Sequence, residues 1–415
     1  MYYFYWLPIG TDAKVRGIPW VTVSLLVTMV VSFAAFHVAP GAETLAYRLA
    51  FKAGDPTPLT AIASLFLHAD PFHLLGNLVF LGVFGPPLES RLGPARYLIA
   101  YVGCGWLASL VQAAWILRAT PELASIPIIG ASGAISGLMG LFLVRLYFAH
   151  LRFASITMLF FQGMVKPTRF TLPAAVGIGL WFALQFAYQI SGAAPQTATL
   201  CHLAGFAFGG AFAWSMGLMG EGHLESHLAR GARYASRGEW FASLGEYESY
   251  LERRPDDPDV VAQVARLSRV THQEDQSADR FRRAIHLWLR QGQIRKACDA
   301  YEEMKRLLGA VTLPPADLLR VARGCEELGR PGDASRAYEA YGRNYPDRGG
   351  ASLALMKSAE IEHRALNNPG RARYLYDELL RRPLKPDLEK LVHERAQRAD
   401  AALARQGTVA AAARG

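Results

Sequence analysis

Charge is scarce in the first half of this chain of 415 residues. Residues 1 to 220 hold only 11 Lys and Arg and 6 Asp and Glu, and neither Leu123 to Val144 nor Phe170 to Gly220 contains a single one. Stretches of that kind exclude an ordinary soluble domain, so residues 1–220 read as a membrane domain. Residues 221–415, with 33 basic and 29 acidic side chains, read as a soluble one. Cysteine is scarce as well. Cys104 and Cys201 lie in apolar runs, Cys298 and Cys325 in helical patterns, and none has CxxC spacing. That excludes a disulfide framework and suggests small core residues in a reduced compartment. A basic tail is also missing: the net charge of +9 divides into +5 and +4, and the basic residues of the second part alternate with acids, so no nucleic-acid partner is expected. The pair His223 and His227 has zinc-ligand spacing, but Leu224 stands where a zincin needs Glu, and neither metal nor cofactor is expected.

What is present is a series of apolar runs. Crossing a bilayer takes about 20 apolar residues. Such runs fall at Gly17 to Ala42, Ala63 to Phe84, Tyr97 to Leu117 and Gly130 to Val144. Phe170 to Gly220 is long enough for two more, with Ser191 to Thr199 as the turn between them and the sixth span from His202 to Gly217. The N-terminus lacks the basic n-region of a signal peptide, and Gly17 to Ala42 is too long for the core of one. Six spans put both termini on one side. With the N-terminus inside, the inner segments carry Lys14, Arg16, Arg91, Arg96, Arg145, Arg152, Lys166, Arg169, Arg230 and Arg233, against Arg48, Lys52 and Arg118 outside. The positive-inside rule therefore predicts a multi-pass protein of the cell (inner) membrane with cytoplasmic termini.

Within these runs the polar residues stand out. Ser132 lies in GASGAISGLMG, where Gly130, Gly133 and Gly137 strip the helix of bulk and let another helix approach. His202 precedes the pair Gly205 and Gly209 in TLCHLAGFAFGG, a second small-faced helix. An imidazole in hydrocarbon is costly without a partner, which makes His202 a functional candidate. The predicted topology places Ser132 and His202 at similar depth, near the outer ends of their helices. His73 and Asn77 are four residues apart and share one helix face, two donors at one depth, as an oxyanion requires. His68 reads as a structural or rim residue, and Glu89 as a side chain bonding backbone at a helix end.

From Pro19 to Gly217 the motifs FLHADPFHLLGNLVFLGVFG, LESRLG, GASGAISG and CHLAGFAFG follow one another in an order and spacing that resembles the rhomboid intramembrane serine proteases. The resemblance implies that Ser132 is the nucleophile and His202 its general base, a dyad without an acidic third member. It also implies an oxyanion hole of His73, the Asn77 amide and the Ser132 N–H. The chain departs from the family pattern in three places. Leu59-Thr60 replaces a Trp-Arg pair, Ser136 stands where an aromatic often packs on the histidine, and Cys201 replaces alanine. The substrates implied are transmembrane proteins in the lipid bilayer, cut near its outer face. The alternative is a catalytically silent rhomboid-like protein that binds membrane helices and serves as a scaffold.

Beyond a glycine-rich linker at Gly217 to Gly222 the pattern becomes amphipathic. A template of small and aromatic positions recurs at Ser243/Tyr247, Ala297/Tyr301, Ala334/Tyr338 and Ala372/Tyr376. The last three small positions are 37 and 38 residues apart, near the ~34 of a tetratricopeptide repeat, and the longer gap before them leaves room for an extra helix at Asp259 to Thr271. The fold class expected is therefore all-α: a six-helix membrane domain, residues 1–220, followed at 221–415 by a tetratricopeptide-like solenoid or an irregular stack of helical hairpins. Its concave face would bind a cytoplasmic protein or peptide, and Leu388 to Gly415 would form a capping helix and a frayed tail.

Overall fold

The computed structural model describes residues 2–38, 41–159, 164–191 and 199–412. It divides into two compact units, 1–226 and 227–415.

The first unit begins with strand β1 (Tyr2–Thr11) and continues through helices α1 (Trp20–Val38), α2 (Ala42–Leu49), α3 (Pro58–Ala63), α4 (Pro71–Leu92), α5 (Pro94–Ala119) and α6 (Ser132–Arg145). Strands β2 (His150–Leu159) and β3 (Met164–Pro173) follow, then α7 (Ala174–Ser191), α8 (Thr199–Ser215) and α9 (Leu218–Ser236). Local chemistry sets several of these boundaries. Asp70 caps α4 by accepting the N–H groups of Phe72 and His73, with Pro71 in the first helical position. Gly93, at φ +77°, ends α4, and Pro94 starts α5.

Among the described residues four helices, α1, α4, α5 and α7, are long and apolar enough to cross a membrane, or five spans if α8 and α9, bent by 82° at their break, count as one. Of the six spans expected from sequence, length and composition alone support four or five. The 14 residues of α6 rise only about 21 Å, short of a hydrocarbon core of about 30 Å. The apolar run from Gly130 to Val144 is itself short, and Gly130 sets where the helix starts. Its φ of +114° lies outside helical geometry, so α6 begins only at Ser132. The turn expected between α7 and α8 falls at 192–198, outside the described residues.

Helix content dominates as expected, except for an antiparallel sheet of order β1-β2-β3. Tyr2 pairs with Leu159 and Thr11 with Leu151 along the first ladder, and His150 with Pro173 along the second. Buried Leu151 and Phe153 flank exposed Arg152, a period-2 alternation that sequence reading passed over.

α6 packs against α8 and α5. The contact with α8 is backbone on backbone: a Cβ on Gly205 would stand 2.2 Å from the Gly133 oxygen, one on Gly209 1.8 Å from the Gly137 oxygen, and one on Gly140 2.1 Å from the Phe206 oxygen. Gly137 also abuts Cys104 of α5, 2.4 Å from a Cβ built there. The Gly217–Gly222 stretch is not a loose linker. Gly217 turns the chain at φ +68°, and Gly222 lies within α9, where a Cβ would meet the Arg145 oxygen at 2.6 Å. Helical glycines at close contacts and linker glycines look alike in sequence.

Glu89 is buried and joins α4 to the start of α1. Its carboxyl oxygens accept the N–H groups of Val21 and Thr22 at 2.9 and 2.8 Å and the Thr22 hydroxyl at 2.7 Å, which satisfies two donors of the first turn of α1. Glu89→Ala strands the Val21 and Thr22 N–H groups, leaving the Thr22 hydroxyl only Tyr97 Oη at 3.1 Å, and should destabilise the unit by roughly 3 kcal/mol. Thermal unfolding in detergent should show a midpoint several degrees lower, and an unchanged midpoint would contradict this role.

The second unit is a stack of helices in which each packs on its sequence neighbours: α10 (Trp240–Arg253), α11 (Pro258–Val270), α12 (Glu274–Arg290), α13 (Ile294–Leu308), α14 (Pro315–Glu327), α15 (Pro331–Asn344), α16 (Ala351–Arg364), α17 (Pro369–Leu380) and α18 (Pro386–Ala412). The gap before Ala297 holds two helices, α11 and α12, where one was expected. Ser277 on α12 repeats Ser243 after 34 residues, and each hydroxyl donates to a carbonyl twelve residues earlier, of Ala265 and Gly231. The left-handed turn residues are Gly238, His272, Gly292, Gly329 and Asn367, and a histidine in a place where glycine recurs obscured the repeat. Tyr301, Tyr338 and Tyr376 are buried in the stack, while Trp240 is exposed.

Candidate active site

The serine stands at the head of α6. Gly130 donates its N–H to the Ser64 oxygen at 2.9 Å and Ile128 its own to the Phe51 oxygen at 2.8 Å, which pins the loop before α6 to the segment before α4. A Cβ on Gly130 would lie 2.6 Å from His73 Nε2, so this glycine keeps room for an imidazole of α4 and makes no backbone contact with α8. The first N–H groups of α6 and the positive end of its dipole then lie at Ser132.

His202, in the first turn of α8, places Nε2 2.8 Å from Ser132 Oγ. Its other ring nitrogen, Nδ1, lies 2.9 Å from Gln185 Oε1 of α7. The N–H of neighbouring Cys201, a donor of that first turn, is accepted by Gln112 Oε1 of α5 at 3.0 Å. The Trp181 ring sits 6.2 Å from the imidazole, centroid to centroid, tilted by 40°. Four helices thus meet around His202: α6 and α7 bond its ring, α5 bonds the N–H of its neighbour, and α6 and α8 are held together by the backbone contacts of Gly133, Gly137, Gly205 and Gly209.

α4 contributes the remaining polar groups. His73 and buried Asn77 lie one turn apart, and Asn77 Nδ2 donates to the His73 carbonyl at 3.2 Å. Both approach Gly130: its built Cβ is 3.8 Å from Asn77 Nδ2 and 2.7 Å from His73 Cε1. His68 packs edge-on against His73, ring centroids 5.2 Å apart. The structure therefore gathers Ser132, His202, His73 and Asn77 around the turn at Gly130.

Two departures from the family pattern have local solutions. Ser136 is buried and donates to the Ser132 carbonyl at 2.7 Å, and the aromatic ring beside His202 comes from α7 as Trp181. Thr60 forms a capping box with Thr57 at the start of α3. Sequence reading missed Gln112 and Gln185. Their signal was available: each is an uncharged polar side chain inside an apolar run, where such groups are expensive unless they have a partner. His227, of the spaced histidine pair, is bound to Glu246 at 2.7 Å.

Comparison with known proteins gives the site a family context. Residues 56–218 match the Rhomboid domain family model. The chain is 38% identical over 87 residues to the "Putative rhomboid protease YdcA" of Bacillus subtilis (strain 168), covering 21% of this chain and 41% of that protein. It is 26% identical over 202 residues to "Rhomboid protein 1, mitochondrial" of Saccharomyces cerevisiae, covering 47% and 51%. With "Rhomboid-like protease 3" of Toxoplasma gondii it shares 30% over 128 residues, 29% of this chain and 48% of that one. The chain thus spans about half, or less, of the length of these relatives. The solved structure "Crystal structure of MamA protein" matches 40% of this chain and 98% of its own at 12% identity, with a TM-score of 0.20, too low to show a common fold.

Proposed function

We infer, from the match of residues 56–218 to the Rhomboid domain family model, that this membrane protein is an intramembrane serine endopeptidase acting on membrane-anchored proteins near the outer face of the bilayer. The observation that carries the reading is the 2.8 Å contact between Ser132 Oγ and His202 Nε2. A serine hydroxyl is a poor nucleophile until a neighbouring base can accept its proton. As Ser132 Oγ attacks the carbonyl carbon of the scissile peptide bond, Nε2 takes the hydroxyl proton. The carbonyl oxygen becomes an oxyanion, received by the Ser132 N–H, His73 and Asn77. Fixed donors in a water-poor site stabilise such charge strongly. Collapse then breaks the C–N bond, with the Nε2 proton passing to the departing amine, and leaves an acyl group on Ser132. Water, deprotonated at Nε2, attacks that ester and frees the carboxyl product and the serine.

The six apolar helices would form six membrane segments, with short α6 keeping Ser132 below the outer surface in a hollow that admits water. The loop charges favour cytoplasmic termini and the inner membrane of a bacterial-type cell. The test is cleavage of a model transmembrane substrate by the detergent-solubilised protein. A wild type that cuts nothing while binding the substrate would favour the silent scaffold instead.

Residues 227–415 would form a cytoplasmic tetratricopeptide-like array that binds a partner protein or peptide. A protein truncated after Ser226 retains Glu221 and Glu225, whose ion pairs with Arg145 and Arg91 hold α9 to the rest of its unit. It should cleave a generic transmembrane substrate within about threefold of full length, because Ser132, His202 and the side chains bound to them all belong to the first unit, and it should lose the cytoplasmic partner in a pull-down. A folded truncation that is inert towards the generic substrate would overturn this division of labour.

A further inference from the structure

Ser132 and His202 are not left as a bare pair, because the distal nitrogen of the imidazole is engaged. We propose that Gln185 is a positioning residue that makes the site a neutral triad, Ser132–His202–Gln185, by fixing the tautomer of His202. The inference rests on the protease reading of the same site.

The chemistry follows from which atoms face each other. Gln185 Oε1, 2.9 Å from Nδ1, is an acceptor only, so Nδ1 must carry the proton in order to bond to it. Neutral imidazole has one N–H, and Nε2, 2.8 Å from Ser132 Oγ, is then left with the lone pair that accepts the serine proton. With Nδ1 bare, Nε2–H would point at the serine and could not act as its base. In serine hydrolases of the aqueous type a carboxylate does this orienting task. Here the ring lies between apolar helices, where an ionised carboxylate is expensive, and a carboxamide orients it without burying a charge. Trp181, one turn before Gln185 on α7, restricts the ring from a second side. Gln112 fixes the backbone from which the ring hangs through the Cys201 N–H. The three contacts come from α7 and α5, so the angular freedom of His202 is limited by elements other than its own helix. They replace the support withdrawn when Ser136 stands four residues after the serine.

The test joins kinetics to a direct view of the tautomer, on full-length protein in detergent. Gln185→Leu, similar in size and without an acceptor, should lower kcat for a model transmembrane substrate about 10- to 100-fold with little change in KM, and slow fluorophosphonate labelling of Ser132 to match. Gln185→Glu presents an oxygen to Nδ1 in either protonation state and should recover to within about tenfold of wild type. In wild type, ¹⁵N spectra of labelled histidine should show His202 protonated at Nδ1 and bare at Nε2. Gln185→Leu should shift that population. Wild-type rates in Gln185→Leu, equal losses in Gln185→Leu and Gln185→Glu, or an Nε2–H tautomer in wild type would each overturn the proposal. A wild type that cleaves nothing, or a Ser132→Ala protein that cleaves equally well, would instead remove the protease reading. The tautomer measurement would still decide the role of Gln185.

Discussion

Ser132→Ala and His202→Ala should each depress cleavage of a transmembrane substrate on the order of 10⁴-fold or more, and the double variant should be no worse than either alone. Non-additivity is the diagnostic part. If the hydroxyl is reactive only because Nε2, 2.8 Å away, takes its proton, removing either group removes the same step. Residual activity would reflect binding and the oxyanion donors. Asn77→Ala provides the contrast. It deletes one donor of several, and should leave the dyad working at about 10⁻² to 10⁻³ of the wild-type rate. Both dyad substitutions shorten a side chain without touching the glycine contacts between α6 and α8, so their unfolding midpoints should stay near wild type. Initial rates with a fluorogenic or gel-resolved substrate would check the series. Multiplicative losses in the double variant would mean that the two residues act in separate steps.

The largest structural effect should come from Gly209→Val. A Cβ there would stand 1.8 Å from the Gly137 oxygen, 2.5 Å from its carbonyl carbon and 2.8 Å from its Cα. All three are backbone atoms, with no flexible side chain to swing aside, so the substitution can be accommodated only by separating α8 from α6. The same separation would draw His202 from Ser132. Overpacking a well-filled contact commonly costs about 1–3 kcal/mol, and a clash confined to backbone should exceed that range. Folded protein should be lost on extraction from the membrane, measured as the monodisperse fraction in size-exclusion chromatography. Gly210→Ala is the matched control, since a Cβ on that adjacent residue would meet nothing within 4 Å. Equal recovery of the two variants would show that the glycine contact is not what holds the helices together.

Much of this site was legible in one dimension because membranes restrict what a sequence can hide. A serine, two histidines and an asparagine in uncharged runs are conspicuous, and glycines at four-residue spacing announce a close helix contact. Gln112 and Gln185 are also polar residues in apolar helices, yet which atom each one engages depends on how α5 and α7 lie against α8, and no spacing encodes that. Gly130 was grouped with the packing glycines by its spacing, although its work is to make room for His73. The pairing of β1 escaped because its partner β2 lies more than a hundred residues away, so no hairpin signal links the two. In the second unit His272 takes the left-handed turn position held by glycine at 238, 292 and 329, and it concealed α12 as a further element of the repeat.

The account depends most on Ser132 being a nucleophile made reactive by His202. The most direct test is to treat the full-length protein in detergent with a fluorophosphonate and map the adduct by mass spectrometry. A single phosphonylated residue at Ser132 in wild type, absent from His202→Ala, is the result predicted. No adduct at Ser132, or equal labelling of Ser132 with His202 removed, would contradict it.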